Sequence, residues 1–333
     1  MGYPRVTLSC NYYAPGSLPV LMSKLERIAV LVPCLNEALT VAKVVDDFRL
    51  ALPQAAIYVI DNGSTDGTPE IAAAHGAQVL YETRRGKGFA MRTAFRRIEA
   101  DIYVMVDGDD TYPAESIQSL LEPVVAGKAD MTIGSRTMAG TSSDFKHLNR
   151  LGNRILPWLL RFLLRVRVTD LLSGYRVMTR DLVKSLPIAA RDFEIEAELT
   201  VKSVERSFRL IEVPIDLRAR PEGSFSKIRI FRDGRRIAWT ILLLFRDYRP
   251  MAFFGGLGLA LMLVGLIPGL VVIAEFIQTG LVPRFPSAIL AVALELTGML
   301  LIAVGLVLSA VSRRFQEIEI KLDMLGDRLS DDS

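Results

Sequence analysis

Short apolar runs alternate with segments of helical periodicity from about Arg27 onward. The runs predict strands over 27–33, 56–61, 77–82, 101–107 and 129–136. The segments between them carry apolar residues three and four positions apart, which predicts helices over 37–52, 68–77, 87–100 and 113–127. Nearly continuous apolar strands that alternate with helices are typical of a parallel sheet covered on both faces. The pattern therefore predicts an α/β fold with a Rossmann-like, mostly parallel sheet.

A second pattern begins at Met251, where charged residues almost disappear. Residues 251–274 carry no charge, and 285–312 carry only Glu295. A helix of 24 residues is about 36 Å long, enough to cross a hydrocarbon core of about 30 Å. We expect a transmembrane α-hairpin here; the alternative is a pair of buried helices in a soluble core.

The charges that flank the two apolar runs predict an orientation. Arg246 and Arg249 precede the first run, Arg313 and Arg314 follow the second, and the linker holds only Arg284. The positive-inside rule then places both termini and the first domain in the cytoplasm. We expect a multi-pass protein of the inner (plasma) membrane, in contact with the lipid bilayer.

Composition adds limits to this picture. Of the 333 residues 50% are hydrophobic, and the net charge of +3 does not favour a nucleic-acid partner. Two cysteines, Cys10 and Cys34, predict no disulfide framework and suit a reducing compartment. The first residues lack a sustained apolar core, so we expect no signal peptide, and Met22 is an alternative start.

Together these patterns divide the chain into six segments. They are a leader over 1–26, an α/β domain over 27–227, amphipathic juxtamembrane helices over 228–250, transmembrane helices over 251–276 and 285–312, and a tail helix over 313–333. The tail spaces Ile318, Leu322, Leu325 and Leu329 as a short a/d seam. Such a seam predicts a homo-oligomer, a dimer or tetramer, or else a helix that rests on the membrane.

Polar motifs follow the predicted strands, at the strand ends where open α/β sheets bind ligands. After the first strand, Glu37 either complements a helix start or contacts a ligand. After the second, Asp61 and Asp66 in "DNGSTDGT" either build a turn or accept hydrogen bonds from a base and a ribose. The segment "RRGKGFAMR", which contains Lys87, is either an anion cradle or a solvated basic helix start.

The fourth strand ends in three aspartates. Asp107 and Asp109 lie two positions apart, and Gly108 removes side-chain bulk between them. Bunched carboxylates repel one another unless a cation or a hydrogen-bond network separates them. Hard oxygen ligands suit Mg²⁺ or Mn²⁺ shared with substrate phosphates, so we expect a metal site rather than an acidic turn. Asp110 is expected to be a solvated or loop-bonded neighbour.

In combination these motifs resemble family 2 glycosyltransferases with the GT-A fold, and in particular the polyprenyl-phosphate (dolichyl-phosphate mannose synthase-like) subgroup. The resemblance covers residues 27–230 and rests on "VPCLNE", "VIDNGSTDGT", "RRGKGFAMRTAF", "VDGDDTYP", "IGSR", "DLLSGYRV" and "EVPIDLRARPEGSFSK". Three positions depart from the usual pattern: Leu35 replaces an aromatic residue, Asn62 a second acid, and Thr111 a glutamine that helps to hold the metal.

The resemblance implies roles for particular residues. The residues expected at the nucleotide are Pro33, Leu35, Glu37, Asp61 and Asp66. Asp107 and Asp109 are expected to contact the ribose, the diphosphate and the metal, and Thr111 the metal. Those expected at the diphosphate and the lipid phosphate are Lys87, Arg136, Arg150, Arg220, Ser226 and Lys227, and those near the sugar are Asp170, Ser173 and Arg176. Of these, Asp107, Asp109, Arg136 and Asp170 are the expected catalytic residues. Asp170 as a general base is an option that the reaction does not need, because a lipid phosphate is already an anion.

The resemblance also implies an activity. We expect inverting, Mg²⁺- or Mn²⁺-dependent transfer of a sugar from a nucleotide-sugar donor to undecaprenyl or dolichyl phosphate, giving a lipid-linked monosaccharide for glycan or lipid modification. Thr111 favours UDP-sugars. The alternatives are a GDP-mannose-dependent mannose synthase, a transferase for another lipid or a glycan acceptor, and a membrane-tethered scaffold with an inactive transferase domain.

Overall fold

The computed structural model describes residues 27–136, 161, 168–218 and 230–331. The chain divides into two compact units, Met1–Ile241 and Leu242–Ser333. The first unit holds the sheet and the second holds the long apolar helices, and each is described by itself below.

The first unit contains seven strands and the helices between them. The strands are β1 (Ile28–Cys34), β2 (Ala56–Asp61), β3 (Gln78–Tyr81), β4 (Ile102–Met105), β5 (Met131–Ser135), β6 (Arg176–Thr179) and β7 (Leu210–Pro214). The helices are α1 (Val41–Ala51), α2 (Thr68–Ala74), α3 (Lys87–Arg97), α4 (Ile117–Val125), α5 (Arg180–Ser185) and α6 (Ile195–Glu205), and a 3₁₀ turn (Ala114–Ser116) precedes α4. A further helix, α7 (Ile230–Tyr248), begins in the first unit and ends in the second.

All seven strands form one sheet in the order β3-β2-β1-β4-β6-β5-β7. Every pairing is parallel except those of β6, which runs antiparallel to both β4 and β5. The predicted mostly parallel sheet and its first five strands are confirmed. β6 and β7 were not predicted, because each is only four or five residues long and carries a charged residue within a short apolar run.

The core explains why the apolar runs became strands. Residues 30–32 in the middle of β1 are completely buried, as a strand covered on both faces requires. On α1 the buried residues are Val41, Val44, Val45 and Phe48, which form one face of the helix. The periodicity of the sequence thus sets which face of α1 enters the core.

The second unit contains two long helices, α8 (Pro250–Thr279) and α9 (Phe285–Asp331). Both are long and apolar enough to cross a membrane, over Pro250–Thr279 and Phe285–Phe315. They pack closely where Gly258 meets Gly298: a Cβ atom on Gly258 would lie 2.5 Å from the Gly298 carbonyl oxygen. Small residues at such a contact let two helix backbones approach each other directly.

Candidate active site

The polar segments that follow the strands meet at one edge of the sheet, called here the carboxyl edge. In the parallel pairings of β1, Cys34 lies opposite Asp61 of β2, and Leu31 lies opposite Met105 of β4. β5 runs parallel to β4 because both are antiparallel to the intervening β6. The segments after β1, β2, β4 and β5 therefore share this edge, as predicted.

The acidic segment, residues 107–111, passes close to the end of β1. A Cβ atom on Gly108 would lie 2.6 Å from the sulfur of Cys34 and 3.5 Å from Val32. The Thr40 hydroxyl donates a hydrogen bond of 2.6 Å to the Gly108 carbonyl oxygen and fixes the segment there. Only glycine fits between the two aspartates at this approach, which accounts for the Asp-Gly-Asp pattern.

The three aspartates of the acidic segment have different surroundings. The Asp107 side chain is 30% exposed, whereas Asp109 and Asp110 are buried. One Asp109 oxygen accepts hydrogen bonds from the Thr111 amide (3.2 Å) and hydroxyl (2.6 Å). Asp110, at φ 56°, accepts from Lys43 and Arg218, each at 3.0 Å. Asp110 is therefore bonded within the protein, which is one of the two outcomes expected for it.

Arg218 ties a distant part of the chain to the acidic segment. Its guanidinium also bonds Asp47 at 2.6 Å and Glu115 at 2.5 Å, and its amide donates to the Thr111 carbonyl oxygen at 2.9 Å. Burial would raise the pKa of Asp47, but hydrogen bonds from Arg218 and Lys43 outweigh burial and lower that pKa. The segment before residue 218 is thereby held against the acidic segment by charge.

Lys87 lies behind Asp107 and is nearly buried, with 9% of its side chain exposed. Its ammonium donates to Asp107 at 2.5 Å and to Glu196 at 2.6 Å. Burial disfavours the ammonium, but the charges of Asp107 and Glu196 outweigh burial and raise the pKa of Lys87 above its usual value. Lys87 therefore stays protonated and pairs with two carboxylates, rather than standing in an open anion cradle.

The oxygen donors of the acidic segment fit a divalent cation that shares its ligands with a substrate. Among the described residues, no group of three or more His, Cys, Asp and Glu side chains could hold a metal on its own. Mg²⁺ in proteins commonly uses one or two carboxylates and completes its ligands with substrate phosphates and water. Asp107 and Asp109 supply such a pair, and the Thr111 hydroxyl orients Asp109.

Arg136 and Asp170 form a bidentate ion pair at the end of β5. The guanidinium bonds the carboxylate at 2.7 and 2.6 Å, and the Arg136 amide adds a third bond of 2.9 Å. Burial disfavours the charge on Arg136, but Tyr112 and Asp170 outweigh burial and raise its pKa. Glu212 supports the pair by accepting the Asp170 amide at 2.9 Å. Arg136 supplies three donors to this one carboxylate, so the geometry favours Asp170 as the group that orients Arg136.

Hydrogen bonds connect the loop after β1 to the loop after β2. Asn36 accepts from the Thr65 amide at 2.8 Å, and the Glu37 amide donates to the Thr68 hydroxyl at 2.9 Å. These bonds hold residues 36–40 in turns, so α1 begins at Val41 rather than at residue 37. Pro33, Leu35 and Glu37 remain only partly buried at the carboxyl edge.

Asp61 and Asp66 both accept backbone hydrogen bonds within these loops. Asp61 accepts from the Gly63 amide at 3.1 Å, and Asp66 accepts from the Ala38 amide at 3.0 Å. Burial would raise the pKa of Asp66, but hydrogen bonds from Thr68 and from Ala38 outweigh burial and lower it. Both carboxylates therefore make hydrogen bonds that build these turns.

Asn62, which replaces an acid in the usual pattern, organises the loop that leads to Lys87. Its amide nitrogen donates to the carbonyl oxygens of Glu82 (3.1 Å) and Arg84 (2.7 Å), and its oxygen accepts from the Gly86 amide (2.6 Å). An aspartate has no N–H group to donate to those carbonyls. The departure therefore has a structural reason in this chain.

Two further predicted residues lie in the interior. Ser173 donates to the Gly134 carbonyl oxygen at 2.5 Å, and Arg176, completely buried, donates to the carbonyl oxygens of Ser173 and Leu171. These bonds shape the loop before β6. The predicted residues that lie outside the described part of the chain are Arg150, Arg220, Ser226 and Lys227.

Sequence reasoning did not single out Glu196, Glu212 or Arg218. A signal for the first was present, since "EIEAEL" alternates three glutamates with apolar residues at the start of α6. In the structure Glu196 and Glu198 are buried. Buried carboxylates are rare unless they are paired, so such a helix marks a place where partners must exist.

A model of the family "Glycosyl transferase family 2" matches residues 29–186. "Glycosyltransferase AglJ" of Haloferax volcanii is 33% identical over 299 residues, which cover 88% of this chain and 98% of that protein. A "Dolichyl-phosphate hexose transferase" of the same organism is 31% identical over 218 residues, which cover 65% of this chain and 93% of that protein.

A solved structure shows the same fold. It is the glucosyl-3-phosphoglycerate synthase of Mycobacterium tuberculosis in complex with Mn²⁺, UDP-glucose and phosphoglyceric acid. It matches with a TM-score of 0.61 and 24% identity, over 73% of this chain and 87% of that one. The likeness confirms the GT-A-like fold that the motifs predicted.

Proposed function

Because the chain belongs to glycosyltransferase family 2, we propose that it transfers a sugar from a nucleotide-sugar to a polyprenyl phosphate. A UDP-sugar is the favoured donor, the reaction inverts the anomeric carbon and needs Mg²⁺ or Mn²⁺, and it takes place at the cytoplasmic face of the membrane. The relative named as a dolichyl-phosphate hexose transferase supports the acceptor. The relative solved with UDP-glucose and Mn²⁺ supports the donor and the metal.

The observation that carries this proposal is that the three aspartates of the acidic segment have different exposure and different hydrogen-bond partners. Asp107 is partly exposed at the carboxyl edge and Asp109 is oriented by Thr111, while Asp110 is taken up by Lys43 and Arg218. In this assignment Asp107 and Asp109 hold the metal, and a bound Mg²⁺ or Mn²⁺ stabilises negative charge on the leaving diphosphate.

The protein itself contributes binding and electrostatics. Pro33, Leu35, Glu37 and Asp61 line the nucleotide pocket in this assignment, and Arg136, oriented by Asp170, stabilises the phosphates. A lipid phosphate is an anion at neutral pH and can attack the anomeric carbon without a general base. Its oxygen forms the new bond as the bond to the nucleoside diphosphate breaks on the opposite face, which inverts the centre.

The membrane part of the proposal rests on α8 and α9, which are long and apolar enough to span a bilayer. Arg246 and Arg249 before α8, with Arg313 and Arg314 in α9 after its apolar part, favour cytoplasmic ends. α7 carries an exposed Trp239 and basic residues, as a helix at the headgroup layer does. A lipid-borne acceptor is thereby within reach of an enzyme tethered to the same bilayer.

The test is a transfer assay with the purified full-length chain. The reaction contains undecaprenyl or dolichyl phosphate, Mn²⁺ or Mg²⁺, and one radiolabelled UDP- or GDP-sugar at a time. We expect metal-dependent labelled lipid with a UDP-sugar, and NMR of the product should show the inverted anomeric configuration. Free polyprenol, which lacks the phosphate, is the matched control and should give no product.

Each result of the assay separates the alternatives. If label is transferred only from GDP-mannose, the donor is not a UDP-sugar and the protein is a mannose synthase. Equal labelling of diacylglycerol would replace the acceptor. No labelled lipid with any donor would overturn the proposed function.

A further inference from the structure

Glu196 is a buried carboxylate that lies behind the acidic segment. Its side chain is 3% exposed, and one of its oxygens accepts the Lys87 ammonium at 2.6 Å. The other oxygen is buried and has no hydrogen-bond partner among the described residues. The same ammonium bonds Asp107 at 2.5 Å, so Lys87 bridges Glu196 and the first aspartate of the proposed metal pair.

Two glycines let the backbone on either side of Lys87 approach another segment closely. Gly86 and Gly88 flank it, and a Cβ atom on either would collide with the carbonyl oxygen of Arg191 or of Ala190. The chain before α6 therefore closes over the start of α3, and the lysine side chain runs inward toward Glu196. A lysine held in this way is not a mobile surface cation.

The two carboxylates that share the Lys87 ammonium differ in exposure. Asp107 is 30% exposed and Glu196 is 3% exposed, while one ammonium serves both. Arg176 lies nearby but donates to the Thr200 hydroxyl, not to a Glu196 oxygen. If Lys87 had Asp107 as its sole partner, the ammonium would neutralise the carboxylate that faces the ligand. Because the ammonium bonds Glu196 as well, its interaction is divided between the two carboxylates.

We infer that Glu196 is a positioning residue: it holds Lys87 back so that Asp107 can bind a divalent cation. The inference rests on the proposed metal-dependent function and adds a residue from α6 to that site. Glu196 does not touch the substrate; it acts through Lys87. Groups that support metal ligands in this way commonly change metal affinity by 10- to 100-fold when they are replaced.

Glu198 provides a matched control on the same helix. It is also 3% exposed, but it accepts the amides of Ala189 and Ala190 and pairs with Lys202 at 2.6 Å. Replacing either glutamate by glutamine removes one buried charge from α6. Only Glu196 is joined through Lys87 to Asp107.

The experiment measures Mn²⁺ binding rather than activity. Purified full-length wild type, Glu196→Gln and Glu198→Gln are titrated with Mn²⁺ in the presence of UDP, and free Mn²⁺ is followed by electron paramagnetic resonance. We expect Glu196→Gln to weaken Mn²⁺ binding by roughly 10- to 100-fold. Glu198→Gln should lower the unfolding temperature but leave Mn²⁺ affinity unchanged.

A double variant separates positioning from a general structural role. Lys87→Met combined with Glu196→Gln removes the ammonium together with its partner, so Mn²⁺ affinity should return toward wild type. A merely structural glutamate would show no such rescue. If Glu196→Gln does not fold, Glu196→Asp keeps the charge with a shorter reach and should show a smaller loss of affinity.

The outcomes that overturn the inference are distinct from those that overturn the proposed function. Equal Mn²⁺ affinity in wild type and Glu196→Gln, or an equal loss in Glu198→Gln, overturns the role of Glu196 alone. Failure of wild type to bind Mn²⁺ more tightly than Asp109→Ala overturns the metal site and the inference with it.

Discussion

Charged side chains fix the loops of the sheet-bearing unit, whereas glycines fix the packing of the helical hairpin. Arg218 bonds three carboxylates and Lys87 bonds two. In the hairpin, the Gly258 and Gly298 backbones touch directly. The difference follows from the side chains of each unit: buried charges need partners, whereas small residues between two apolar helices let their backbones pack closely.

The prediction with the largest expected effect removes one carboxylate of the acidic segment, and a change of the neighbouring carboxylate is its control. Asp109→Ala should lower transfer about 1,000-fold, because several kcal/mol of charge stabilisation depend on the metal site. Asp110→Asn, the adjacent control, should reduce stability through Lys43 and Arg218 while Mn²⁺ affinity stays near wild type. The measurements are steady-state transfer, Mn²⁺ titration and thermal unfolding. Full activity in Asp109→Ala would refute the metal assignment.

Asn62→Asp tests whether polar bonds, rather than charge alone, hold the catalytic loops. The change leaves the carbonyl oxygens of Glu82 and Arg84 without their donor, which should cost about 2–4 kcal/mol of unfolding free energy. Asn36→Asp is the control, since its oxygen accepts from Thr65 and a carboxylate can do the same. Urea unfolding measures both, and equal losses would contradict this role of Asn62.

Gly258→Val tests the hairpin side of the comparison. The added side chain collides with the Gly298 backbone and should cost about 1–3 kcal/mol through overpacking. Gly256→Val is the control, because a Cβ atom there meets nothing within 4 Å. Thermal unfolding in detergent measures the change. UDP binding should be the same in both variants, and a loss of UDP binding confined to Gly258→Val would refute the assignment of this contact to the hairpin alone.

The smallest effect concerns pH. Hydrogen bonds from Arg84 lower the pKa of the buried Glu82 well below its usual range, although burial opposes this. A lowered folded pKa adds stability above the unfolded value of about 4.3, and that stability is lost as pH falls. Between pH 7 and pH 4 the loss due to Glu82 should be below about 1 kcal/mol. Urea unfolding measures the difference in unfolding free energy between wild type and Glu82→Gln, and this difference should become smaller from pH 7 to pH 4. A difference that stays constant would contradict the lowered pKa of Glu82.

The sequence was sufficient for the first five strands of the sheet and for the place where the polar motifs meet. Apolar runs identified β1 to β5, and the end of each strand identified the carboxyl edge. β6 escaped prediction because it is four residues long, begins with Arg176 and runs against its neighbours. An antiparallel insertion between parallel strands has no signature in a run of that length.

The partners of the site residues were beyond local reasoning. Arg218 meets Asp47 across 171 positions, and Lys87 meets Glu196 across 109. Neither pairing leaves a pattern in the sequence near either residue. Lys87 in a glycine-rich basic segment predicted an anion nearby, and the structure supplies two carboxylates of the protein itself.

Arg218 also has a consequence for the timing of synthesis. Its three carboxylate partners lie 103 to 171 positions earlier in the chain. A nascent chain that has not reached residue 218 leaves Asp47, Asp110 and Glu115 without this cation. Contacts so distant in sequence form late, and domains fold as units on the ribosome. The acidic segment therefore completes its ion pairs only after β7 has been synthesised. α8 begins only at Pro250, so the sheet can be completed before the apolar helices emerge from the ribosome.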